Sequence, residues 1–266
     1  MPIDDLLSMN RRTLLGTLAA AGLVATPAAA FTERPIRVRH YVLATHDMNF
    51  VCDQIYEVLG LPPAPPRRTP GGTEQYGFYS TMMKIGSAML EIVQPINADH
   101  HLNGWFEENG GDGGYMIVMQ TFDVEALKAR AAAEELALTR DMIFQGQHML
   151  QFDYRHFGTH FELYRYEPED NWWGDPLNRG YPEARVATDI IGADVAVRDP
   201  EAMADQAARL FGARREGTKL TFEDRTVTFV EAVDGRQGLK ALDFRARDPQ
   251  RVGDWARIGG MTFRFV

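Results

Sequence analysis

Arg39-His40-Tyr41-Val42-Leu43-Ala44-Thr45-His46-Asp47 is the stretch that decides the fold: an alternating, largely apolar strand runs into an aspartate, and Met48 to Leu59 follows with helical spacing up to a stop at Gly60. The same unit returns three times. Tyr115 to Asp123 leads into a helix ending near Leu136, Gly192 to Asp199 into one ending at Gly212, and Leu239 to Asp248 into a fourth ending at Gly259. Three copies keep thirteen residues from the aspartate to the stop and the fourth keeps eleven, a regularity that marks modular architecture. It also lets equivalent positions be compared. Seven residues before each aspartate stand His40, Met116, Gly192 and Ala241.

Around the first copy, residues 36–45 read as a strand, 48–59 as a helix, and 62–70 as a proline-interrupted connection or edge strand. Residues 75–85 and 87–96 read as a hairpin turning at Gly86-Ser87. The second copy keeps this order, with a strand over 114–121, a helix over 124–136 and strands over 142–145, 148–156 and 160–166. Both units are therefore βαβββ. Residues 97–113, with His100, His101, Trp105 and the run Gly110-Gly111-Asp112-Gly113, read as a connector. The segment 169–186, rich in Pro, Gly and Trp around Asn171-Trp172-Trp173-Gly174, is the best domain boundary, its tryptophans either covering a pocket or packing between the halves. Residues 187–266 hold copies three and four in shortened form, the fourth closing on a single strand over 261–266.

Residues 1–30 stand outside the repeat. Arg11-Arg12-Thr13-Leu14-Leu15 leads into an Ala, Leu and Gly stretch, and Ala28-Ala29-Ala30 supplies a small-residue cleavage pattern. This reads as an export signal of twin-arginine type, which places the protein in the periplasm; without a working signal it would stay in the cytoplasm. No other stretch is long and apolar enough to span a bilayer, so no stable membrane association is expected after the signal is removed. With 266 residues, 45% hydrophobic and 24% charged, the chain can bury one or two sizeable cores. A net charge of −9 without a basic run argues against nucleic acid and for a small-molecule partner. The single cysteine, Cys52, cannot form an internal disulfide and reads as a buried structural thiol.

Paired βαβββ units with a His in the first strand and a Glu in the last resemble the vicinal oxygen chelate superfamily of glyoxalase I, extradiol dioxygenases, methylmalonyl-CoA epimerase and bleomycin resistance proteins. The resemblance implies an α+β fold in which tandem modules, 36–97 and 112–168, pair into a U-shaped mixed sheet around a cleft, with a degenerate second pair over 187–266. It also implies a divalent ion, Zn, Ni, Mn or Fe, held from the first and last strand of each module. Carried over by position, these slots fall on His40, Glu91, Met116 and Glu162.

The residues support part of that set by themselves. Glu91 sits in a strand whose faces are otherwise apolar or small, where a carboxylate is costly unless a cation or hydrogen-bond donors meet it. Glu162 shares a strand face with His160, Tyr164 and Tyr166, a polar and aromatic stripe suited either to a cavity or to solvent. Imidazole at His40 suits a transition metal, although a lone strand His is more often structural. Met116 is the departure, because a thioether is a poor ligand for these ions. His160, two residues before Glu162, is the substitute that would restore a His/His/Glu/Glu set, with His148 and His156 as weaker ones. Tyr79, Tyr154 and Tyr164, with Met116, are expected to line the substrate cleft.

Two functions follow. In one, a metal held by His40, Glu91, Glu162 and His160 assists lyase or isomerase chemistry on a small oxygenated metabolite, with Glu162 or His160 moving the proton. In the other, favoured by Met116, the cleft binds or sequesters a small molecule without metal. The C-terminal pair is left as scaffold or as the surface of a homodimer. Too few serines and no phosphate-binding loop or H-E-x-x-H motif speak against hydrolase, nucleotide and zincin chemistry.

Overall fold

Each aspartate of the repeat is a helix or turn cap. In the computed structural model, which describes residues 34–62, 73–169, 181–223, 225–233 and 235–266, strand β1 (Arg37–Ala44) is followed by α1 (Met48–Leu59), and the Asp47 carboxylate accepts from the Phe50 amide at 3.0 Å. Asp123 caps α3 (Val124–Ala133) through the Ala126 amide at 2.9 Å, and Asp199 caps α5 (Pro200–Phe211) through that of Ala202 at 3.0 Å. A carboxylate here satisfies an amide that the first helical turn leaves without a partner, and it sits favourably at the positive end of the helix. Gly60 and Gly212 end α1 and α5 in the left-handed conformation that glycine adopts without strain.

The fourth copy departs from expectation. Asp248 caps only a 3₁₀ turn, Pro249–Arg251, which ends at Val252 in extended conformation, with Gly253 at φ 97° after it. The residues beyond, read from sequence as helix, form β13 (Trp255–Ile258), which turns at Gly259-Gly260 to pair with β14 (Met261–Phe265). The chain therefore closes on two strands, not one. Copy three is complete: β8 (Ala187–Val197), α5, and the short strands β9 (Arg214–Glu216), β10 (Lys219–Thr221) and β11 (Thr226–Glu231).

The first module also holds β2 (Phe78–Ile85) and β3 (Ala88–Pro95), and the second holds β4 (Gly113–Gln120), β5 (Leu138–Phe144), β6 (Gln147–Phe152) and β7 (His160–Arg165). Strand β12 (Gly238–Ala246) opens the fourth. The strands run β2-β3-β1-β4-β7-β6-β5 in the first pair and β9-β10-β11-β8-β12-β14-β13 in the second. In each, the two leading strands meet antiparallel at the centre, β1 with β4 and β8 with β12. This is the expected α+β arrangement of tandem βαβββ modules. The two sheets join where Gly114 pairs with Leu239. A side chain at Gly114 would have its Cβ 2.6 Å from Leu239 Cβ, so the junction requires glycine.

Strand alternation sorts the side chains. Tyr41, Leu43, Leu90, Ile92, Ile117, Met119, Phe161 and Leu163 enter the core beneath the helices, together with Cys52, whose thiol burial pushes up to about 12. The opposite, concave face carries Val42, Ala44, Val93, Met116 and Val118. Two expectations on local structure change here. The 97–113 segment is not a plain connector: His101–Asn109 forms α2, which seats Leu102, Trp105 and Phe106 on that concave face. The end of the 148–156 stretch is also no strand, since Asp153 caps the short helix α4 (Tyr154–Phe157). The export signal, residues 63–72 of the proline-rich connection, and Trp172 and Trp173 lie outside the described residues.

Candidate functional site

The alternation that buries Leu90 and Ile92 turns Glu91 to the concave face, and the parallel pairing of β1 with β3 sets it beside His40. His40 Nε2 lies 3.2 Å from Glu91 Oε2, and the Ser80 hydroxyl donates to Glu91 Oε1. Both side chains are shielded, with 5% of His40 and 14% of Glu91 exposed. On the far side of β4, Glu162 is placed opposite Val118 by the β4–β7 register and accepts from the Gln151 amide at 2.8 Å. Burial is the main cause that lifts its carboxyl to about 7, the nearby Glu91 adds to the lift, and hydrogen bonds from Tyr164 and Gln151 oppose it. A carboxyl titrating there can give up and recover a proton near neutral pH.

His160 is held differently. Its Nδ1 donates to the Phe152 carbonyl at 3.1 Å, and its ring meets Tyr115 and Tyr154 edge-on, each with centroids 4.9 Å apart. Burial lowers it to about 4, so it stays neutral at physiological pH. Tyr115 passes this contact on to His101, whose Nε2 lies 3.2 Å from the Tyr115 hydroxyl. His148 and His156 stand apart, partnered by Asp141 and Gln206 respectively, each at 2.7 Å.

Of the expected cleft residues, Met116, Tyr154 and Tyr164 belong to the concave cluster, whereas Tyr79 packs against the core on the helix side. The cause is strand parity: Tyr79 alternates with Phe78 and Ser80, and those two take the concave positions. The sequence reading missed Ser80, Gln151 and Arg39. Arg39 donates from Nε to Gln120 Oε1 at 2.9 Å, beside a β-bulge between Val38 and His40. Alternation alone does not reveal a bulge; Gln120, polar at the end of an apolar strand, was the available signal.

The chain is similar to a hypothetical protein from Staphylococcus aureus over 87% of its own length and 99% of that chain, at 13% identity and a TM-score of 0.62. It is similar to a mutant of 4-hydroxymandelate synthase from Streptomyces coelicolor over 85% and 78% respectively, at 15% identity and a TM-score of 0.55. It has the vicinal oxygen chelate fold. A methylmalonyl-CoA epimerase from Streptomyces coelicolor matches 49% of this chain and 97% of its own, at 20% identity and a TM-score of 0.41. Identities of this size speak for the fold alone. No family model and no curated protein matches the sequence.

The vicinal oxygen chelate fold implies a divalent ion, and the donors can be tested against it. Met116 puts a buried thioether in one slot, Glu162 is engaged by an amide and a hydroxyl, and His160 is turned to a carbonyl between two rings. Only His40 and Glu91 converge. Among the described residues, no three His, Cys, Asp or Glu side chains gather closely enough to share an ion. The set does not fit a metal as it stands. In the second pair, a fixed cation lies between carboxylates: Arg264 reaches Asp194 and Asp243, each at 2.6 Å, on the strands that carry Gly192 and Ala241.

Proposed function

We propose that this glyoxalase-like chain binds a small oxygenated molecule on the concave face of its first module pair, with its own side chains in place of a divalent ion. The observation that carries this reading is Glu162, a carboxyl raised to about 7 and held by Gln151 and Tyr164 rather than by imidazoles. With Glu91, it offers hydroxyl groups of a ligand two carboxyl acceptors on either side of the β1–β4 centre. Neutral diols and hydroxyketones suit this face better than acids do. A second reading, proton transfer by Glu162 within the bound molecule, is favoured by that same position of its titration near neutrality. His160, neutral and fixed, serves there to position Tyr115 and Tyr154. Metal-assisted lyase or isomerase chemistry would need a third ligand to join His40 and Glu91.

Calorimetric titration with hydroxyacetone, dihydroxyacetone and catechol tests this. Binding by at least one compound is expected, unchanged by EDTA and weakened about tenfold or more in a Glu91→Gln/Glu162→Gln variant, on the scale of lost hydrogen bonds to charged groups. Binding that appears only after Zn, Ni, Mn or Fe(II) is added would favour the metal reading.

A further inference from the structure

The second module pair carries on its own concave face a polar set that the first pair lacks. Five residues before each capping aspartate stand Val42, Val118, Asp194 and Asp243, so two apolar positions of the first pair are carboxylates in the second. Strand parity turns them out of the core: Ala193, Leu242 and Phe263 are buried, and Asp194, Asp243 and Arg264 alternate with them. Arg264 bridges the two carboxylates, donating from Nε to Asp243 Oδ1 and from Nη1 to Asp194 Oδ2, each at 2.6 Å. The network is partly open to solvent, with 17% of Asp194, 24% of Asp243 and 37% of Arg264 exposed. Among the described residues, Arg264 Nη2, Asp194 Oδ1 and Asp243 Oδ2 have no hydrogen-bond partner. Gly192 keeps the last of these clear, since a Cβ there would lie 2.8 Å from Asp243 Oδ2. Trp255 stands beside the network. It pairs directly opposite Arg264, and because Ala256 and Ile258 pack into the core it lies on the concave face, 67% exposed at the edge of the sheet. Arg245 and Arg257 lie further out on this face and are exposed, and Asp254, next to Trp255, is paired with Arg251 at 2.5 Å.

We propose that this face binds a neutral polyhydroxylated ring, a pyranose, with Asp194, Arg264 and Asp243 reading neighbouring hydroxyl groups and Trp255 stacking on the apolar side of the ring. A hydroxyl both donates and accepts, and here a free oxygen of each aspartate lies alongside the free Nη2 of Arg264, so two adjacent hydroxyls each meet an acceptor and share a donor. An anion would face the aspartate oxygens and a cation the guanidinium, which selects against ions. Arg264 is held from both sides before a ligand arrives, so little side-chain freedom is left to lose on binding. Opposed residues on paired strands have Cβ atoms about 5 Å apart, which sets the indole within reach of the same ring. This site does not depend on what occupies the first pair's concave face. It gives the C-terminal half a role in recognition beyond that of a scaffold.

The test is saturation-transfer NMR of the whole chain with the methyl pyranosides of glucose, galactose and mannose, with tryptophan fluorescence as the quantitative readout. Cyclohexanol, a ring of the same size without neighbouring hydroxyls, is the control. Saturable binding of at least one glycoside is expected, with cyclohexanol bound about tenfold or more weakly. Trp255→Ala and Asp243→Asn should each lose about tenfold or more of that affinity, and Trp255→Ala should keep the parent melting temperature because its side chain lies at the surface. Glu91→Gln/Glu162→Gln should leave glycoside binding intact, which separates this site from the first pair's face. Absence of glycoside binding, equal binding of cyclohexanol, full affinity in either Trp255→Ala or Asp243→Asn, or loss of binding in the double glutamate variant would overturn the proposal.

Discussion

Replacing Arg225 by methionine is expected to cost roughly 3–5 kcal/mol of stability, the largest effect of any single change considered for this chain. The side chain lies on the loop between β10 and β11 and is 1% exposed. Nε donates to the Ile190 carbonyl at 2.8 Å and Nη1 to the Val38 carbonyl at 3.2 Å. Nη2 meets the Ser87 hydroxyl at 2.6 Å and Asp189 at 3.0 Å. Val38 and Ser87 belong to the first module pair, Ile190 and Asp189 to the second, so one buried cation ties the two together. Methionine preserves much of the volume but takes the donor from two carbonyls and the cation from Asp189, which keeps only the neutral donors of Ser87 and Ile190. Lysine restores the charge without the planar fork that reaches four partners, and it should recover only part of the loss. Denaturant unfolding measures this directly. A loss below about 1 kcal/mol would mean that the interface is held by apolar packing alone.

Glu162→Gln is expected to stabilise the protein in a manner that depends on pH. In the unfolded chain the carboxyl titrates near 4.5, and in the native state burial moves it to about 7. Below about 4.5 both states hold the proton, and the variant should match the parent. Between those values the unfolded chain gives up its proton first, so each step up in pH costs the native state stability; above 7 the cost is complete. The advantage of the glutamine variant should therefore grow from nothing at pH 4 to on the order of 2 kcal/mol at pH 8, after allowance for solvent reaching the group. His160 and His101 act in the opposite sense. Burial lowers both to about 4, so their neutral forms favour folding above 6.5 and that contribution is lost as the pH falls from 6.5 toward 4. The parent should accordingly lose stability on the acid side, while the parent and variant curves diverge on the other. Parallel curves from pH 4 to 8 would show that Glu162 is not shielded in solution.

How much of this could be read in the sequence depended on what each residue had to satisfy locally. The repeated aspartates were legible because capping is a local demand that recurs wherever a strand hands over to a helix. The fourth copy misled because Asp248 caps a turn as readily as a helix, and here the turn gives way to extended backbone at Val252. The choice of His40, Glu91, Met116 and Glu162 came from the family resemblance; strand parity accounts for Glu91 and Met116 turning away from the helix side. Their partners were legible in neither. Ser80 and Gln151 come from neighbouring strands in a register that the sequence does not print, and α2 covers the face through tertiary packing of Trp105 and Phe106. Tyr79 failed by one residue of parity, the smallest error that sends a side chain through a sheet. Arg225 gave no periodic signal at all, being one loop arginine among many.

The central claim is that the first module pair works without a divalent ion, and metal content tests it most directly. The protein should be purified without chelators from cells supplied with Zn, Ni, Mn and Fe, and its metal stoichiometry measured beside that of His40→Ala and Glu91→Gln variants. All three are expected to hold far less than one ion per chain, with no difference among them. One tightly bound ion per parent chain, lost in either variant, would contradict the account.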